Sequence, residues 1–94
     1  MRIIGRIPHP TLQITVFSND GRFPVQFETD GLTQIYRFRH APALRNLKDI
    51  EELISGDFTE QVLETFTAMR ATHRAALKTL TPPPTPMSDL PDIL

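Results

Sequence analysis

The side chains best placed to do chemistry in this chain are arginines, and the chemistry they suit is recognition. Arg2 and Arg6 alternate with apolar residues over 2–7, and Arg37 and Arg39 alternate with Tyr36 and Phe38. A guanidinium grips phosphate or carboxylate bidentately, and an aromatic ring such as Phe17 stacks on a base. A second group lies at 81–94. Thr81-Pro82-Pro83-Pro84-Thr85-Pro86 is a stiff, extended spacer, and Asp89, Leu90, Asp92, Ile93 and Leu94 mix acids with apolar groups behind it. That mixture suits an apolar pocket with a basic rim.

In pattern, residues 87–94 behind their proline spacer resemble the partner-recruiting tail of bacterial single-stranded-DNA-binding proteins. The likeness spans about eight residues, without a phenylalanine and with sparser acids. It implies recruitment of a protein partner through Asp89, Leu90, Asp92, Ile93 and Leu94.

Other chemistries find little support. Ser18, Ser55 and Ser88 have no base and acid in a local motif, as nucleophilic catalysis requires. Gly5, Gly21, Gly31 and Gly56 are too dispersed for a phosphate loop and suit turns, bulges or caps. His9 and His40 end the first and fourth strands, at opposite rims of a meander, and His73 falls on an apolar helix stripe. Zinc asks for three or four ligands. No metal, cofactor or enzymatic activity is expected. A helix-turn-helix around Gly56 is rejected, because Asp57 and Glu60 would meet phosphate.

The elements that position these residues follow from periodicity. Residues 2–7 form a first strand, stopped by Pro8-His9-Pro10. Leu12, Ile14 and Val16 alternate with Gln13 and Thr15, and Phe23, Val25 and Phe27 alternate with Pro24, Gln26 and Glu28. With Tyr36 and Phe38 these give three more strands, each with one apolar face. Asn19-Asp20-Gly21 and Asp30-Gly31 are hairpin turns. Pro24 warns of an irregularity within residues 22–28. Sequential strands pair, so the simplest sheet is a four-stranded meander.

Asn46 caps a short helix bearing Leu47, Ile50, Leu53 and Ile54, which Gly56 ends. Asp57 and Glu60 read as a capping box for a second helix, running to about Leu80. Its apolar stripe is Phe58, Val62, Phe66, Met69, His73, Ala76 or Leu77, and Leu80, the natural cover for the sheet's apolar face. The fold class is α+β, with one ββββαα domain over 1–80 and a proline-rich tail over 81–94.

Composition bounds the function. Ninety-four residues build one core at most. There is no cysteine, which suits a reducing compartment, and no apolar run marks a leader or a membrane span. A cytoplasmic location is expected. The net charge of −1 hides an asymmetry. Arg2, Arg6, Arg22, Arg37, Arg39 and Arg45 outnumber the acids of residues 1–45, while Asp49, Glu51, Glu52, Asp57, Glu60, Glu64, Asp89 and Asp92 outnumber the bases of 46–94. Such a split points to a charged partner or to attraction between the halves.

The polar sheet face is therefore expected to present Arg2, Ile4, Arg6, Phe17, Ile35, Arg37 and Arg39, with Ile4, Phe17 and Ile35 as an apolar docking patch. The expected function is a non-enzymatic interaction module, a small accessory subunit of a larger protein or ribonucleoprotein assembly. The alternative is a single-strand or RNA binder using the sheet arginines. No membrane partner is expected, and self-association stays open.

Overall fold

A computed structural model describes residues 1–80. The calls on 81–94, including Asp89, Leu90, Asp92, Ile93 and Leu94, lie outside the described residues. The chain runs β1 (Arg2–Ile7), β2 (Gln13–Ser18), β3 (Arg22–Thr29), β4 (Leu32–Arg39), α1 (Leu47–Ile54) and α2 (Asp57–Leu80). The strands form one antiparallel sheet in the order β1-β2-β3-β4. The α+β meander expected from period-two patterning is the observed fold.

Both hairpins turn on two residues of positive φ. Asp20 and Gly21 sit at +45° and +77°, and Asp30 and Gly31 at +51° and +75°. This is type I′ geometry, whose twist matches that of the strands it joins. Asn19 and Arg22 exchange both backbone hydrogen bonds across the first turn, at 2.9 and 3.0 Å. Pro24 then falls where β3 would next donate to β2 at Phe17. Having no N–H, it ends that ladder at Val16–Val25. Toward β4 the same proline occupies a non-bonded position, so the β3–β4 ladder runs unbroken from Arg22–Arg39 to Thr29–Leu32.

One face of the sheet is dry. Leu12, Ile14, Val16, Phe23, Val25 and Phe27 pack with Ile50 and Ile54 of α1 and with Val62 and Phe66 of α2. Phe58, in the first turn of α2, lies among Phe27, Tyr36 and Phe38, with ring centroids 5.1–5.9 Å apart. Tilted and edge-on aromatic packing of this kind stabilises beyond the area it buries. Gly5 lets α1 approach β1: a Cβ there would stand 2.4 Å from Leu47 Cδ2.

Each helix is closed by local chemistry. The Asn46 side chain accepts from the Asp49 amide at 2.9 Å, while Asp49 accepts from the Arg45 amide at 2.8 Å. The expected Asp57–Glu60 capping box is replaced. Gly56, at φ +73°, reverses the chain and its carbonyl receives the Glu60 amide, which puts Asp57 inside the first turn. The Thr59 hydroxyl donates to the Ile54 carbonyl, satisfying one orphan acceptor at the end of α1.

The α2 stripe is shorter than its periodicity suggests. Packing ends at Met69 and Arg70, where Arg70 Nε meets Asp30 Oδ2 at 3.1 Å on the β3–β4 turn. Residues 71–80 are all exposed. His73, Ala76, Leu77 and Leu80, expected to complete the core, are exposed instead, and His73 and Leu77 line a shallow crevice with Asp30 and Leu32 at the β3–β4 turn.

Candidate interaction face

Because both helices pack on one side, the opposite side of the sheet is uncovered among the described residues. The strand registers assemble it in rows. One row crosses the sheet as Arg6, Thr15, Gln26 and Ile35. The next begins with Ile3 opposite Phe17 and ends with Pro24 opposite Arg37. Continuing the β2–β3 register by one residue sets Phe17 beside Pro24, so Ile3, Phe17 and Pro24 share an apolar row. Thr15 and Pro24 are buried by their neighbours in these rows, whereas Ile3 and Ile35 are 49% and 44% exposed.

Two expected members of this face move off it. The β1–β2 register slips between Ile3 and Gly5, so that Ile4 is an extra residue in β1. Such a bulge turns two successive side chains to one side. Ile4 is half-buried against the core, and Arg2, opposite Ser18, falls on the helix side. Ile3 takes the outward place expected of Ile4. The signal was Gly5, since a glycine inside a strand often marks a bulge. Arg6, Phe17, Ile35, Arg37 and Arg39 stand on the outward face as expected.

Arg22, Arg37 and Arg39 cluster at one end of that face. Arg22 lies directly opposite Arg39, and Arg37 is two residues along β4. Among the described residues, none of the three makes an ion pair. Like charges set directly opposite each other destabilise a sheet, so this cluster is a local cost that a negatively charged partner would relieve. Glu28, the one acid among the strand residues, is held at the other end by Gln26 Nε2 at 3.4 Å.

The histidines have separate surroundings. His9 Nδ1 accepts from the Thr11 and Leu12 amides, at 3.1 Å each, and so fixes the β1–β2 loop. The Thr11 hydroxyl lies 3.5 Å from the same nitrogen. The His40 ring rests on Phe23 with centroids 4.2 Å apart. His73 is exposed rather than packed, beside Asp30, Leu32 and Arg74 in a shallow crevice. No group of three metal-ligating side chains comes together among the described residues. A cleft of about 340 Å³ between the β1–β2 loop and the α1–α2 junction is lined by His9, Glu51 and Glu60 among others, but His9 is committed to its loop.

No helix among the described residues is long and apolar enough to cross a membrane. Comparison with protein-family models, curated proteins and solved structures finds no match to this chain.

Proposed function

We propose that this chain is a non-enzymatic interaction module, an accessory subunit of a larger protein or ribonucleoprotein assembly. It docks through the open face of its sheet on a partner that is apolar at its centre and acidic at its rim. The observation carrying this reading is the juxtaposition of the exposed Ile3 and half-buried Phe17 with the cluster Arg22, Arg37 and Arg39, none of which makes an ion pair among the described residues. Apolar contact supplies affinity, while the arginines select the partner by charge. The segment 81–94 adds a second contact through Asp89, Leu90, Asp92, Ile93 and Leu94.

The opposed Arg22–Arg39 pair also favours a second reading, in which the same face follows a single-stranded nucleic acid with Phe17 as its stacking platform. Titration with salt separates the two. Phosphate contacts make log K fall linearly with log salt, with a slope set by the number of phosphates neutralised. The proposal expects a shallow dependence for the partner purified with the chain and only weak, salt-labile retention of a single-stranded oligonucleotide. Truncation after Thr81 should leave the fold intact and weaken capture of the partner. A truncated protein that unfolds would make 81–94 part of the domain's own packing.

A further inference from the structure

The edge of the sheet carries an inference separate from its face. The turn at Asp30-Gly31 makes Thr29–Leu32 the first hydrogen-bonded pair of the β3–β4 hairpin. Bonded pairs then recur at Phe27–Gln34, Val25–Tyr36 and Phe23–Phe38. It follows that Thr33, Ile35, Arg37 and Arg39 direct their backbone N–H and C=O groups away from β3, toward the open edge. The opposite edge is protected: β1 is interrupted by the Ile3–Gly5 bulge and stopped by Pro8. β4 has neither device. Its ladder with β3 is regular over eight residues, and Ile35 is 44% exposed.

We propose that the occupant of this edge is β4 of a second copy, paired antiparallel about a twofold axis through Ile35. The two meanders then continue as one sheet. The charge pattern chooses the partner and the register. With Ile35 opposite Ile35 of the second copy, each exposed isoleucine covers the other. Arg37 stands opposite Thr33 of the second copy, and Thr33 is the cross-strand neighbour of Glu28 on β3. Two strand spacings, about 10 Å, separate the Arg37 and Glu28 backbones. An arginine and a glutamate meet over the short threonine between them. Gln26 occupies only Glu28 Oε1, which leaves the other oxygen for the guanidinium. The twofold makes this contact twice, as an isologous interface must. A register centred on Arg37 would instead oppose Arg37 to itself. The pairing uses the β4 edge and leaves Ile3 and Phe17 uncovered; it shares Arg37 with the docking face, so it is read from the mass and crosslinking of the chain alone, with no partner present.

The chain has no cysteine, so single-cysteine variants give a clean test. Sedimentation of the wild type should show a mass that rises with concentration from 10.7 kDa toward twice that value. Ile35→Cys should form an intermolecular disulfide under mild oxidation, since a bonded antiparallel pair sets Cα atoms about 5.5 Å apart. Thr33→Cys should not, because its counterpart lies four residues along the strand, about 14 Å away. Arg37→Glu should abolish the dimer, and Arg37→Glu with Glu28→Arg should restore it. A chain that stays at 10.7 kDa into the millimolar range overturns the proposal, even if its edge takes up some other acidic strand. So does a dimer that survives Arg37→Glu or that crosslinks equally well through Thr33→Cys.

Discussion

Gln34 of β4 donates its side-chain amide to the main-chain carbonyl of Val62 in α2, at 3.0 Å. Gln34 is 8% exposed, and its own carbonyl oxygen receives the Tyr36 hydroxyl. A polar side chain thus fixes where the long helix crosses an otherwise apolar sheet face. Gln34→Ala removes both bonds and leaves the Tyr36 hydroxyl half-buried without its acceptor. It should lower stability by ~1–3 kcal/mol, read by urea denaturation with an unchanged m-value. Tyr36→Phe, which removes one bond and no carbon packing, should cost about 1 kcal/mol.

The shortened stripe of α2 makes a contrast between two apolar residues of the same helix. Phe66 is fully buried, and its replacement by alanine should cost ~3–5 kcal/mol, enough to threaten a domain of this size. Leu80 is 76% exposed, and Leu80→Ala should change stability by less than ~0.5 kcal/mol. Thermal melting of the pair checks this. Equal losses would mean that residues 71–80 pack on the domain.

Gly5 is required by a neighbour rather than by its own backbone. Gly5→Ala should destabilise by roughly 1–3 kcal/mol, because the new methyl meets Leu47 Cδ2. In the Leu47→Ala background the same change should cost less. The coupling from this double-mutant cycle measures the α1–β1 contact directly.

The opposed arginines set stability against binding. Arg22→Glu turns the Arg22–Arg39 repulsion into an attraction and should stabilise the sheet by roughly 0.2–1 kcal/mol. The same substitution should weaken partner capture. A variant that melts higher and binds worse would show that the cluster is kept for recognition rather than for folding.

Much of this architecture could be read from residue order, and the failures have local physical causes. Strand faces β2, β3 and β4 followed from alternation, and both turns from Asp-Gly, because a period of two and a positive φ are local properties. The outward positions of Arg6, Phe17, Ile35, Arg37 and Arg39 followed with them. Arg2 and Ile4 changed sides because one extra residue in a strand inverts everything beyond it. The length of α2 was legible in its stripe, but where its packing stops is set by tertiary contacts that the stripe does not encode. The Gln34–Val62 bond joins residues far apart in the chain and leaves no trace in either stretch alone.

The central claim, that the open sheet face is the docking surface, is tested most directly by reversing charge on that face and on the opposite side of the molecule. Arg6→Glu with Arg39→Glu alters the face, and Glu64→Lys alters the exposed side of α2. All three positions are exposed, so neither protein should lose more than ~0.5 kcal/mol, and the Arg39→Glu change should gain roughly the 0.2–1 kcal/mol expected of relieving the Arg22–Arg39 repulsion. Each is then compared with wild type for capture of the native partner. The account predicts that the partner is lost with Arg6→Glu/Arg39→Glu and retained with Glu64→Lys. Capture that survives reversal of the arginines, or that fails with Glu64→Lys instead, would contradict it.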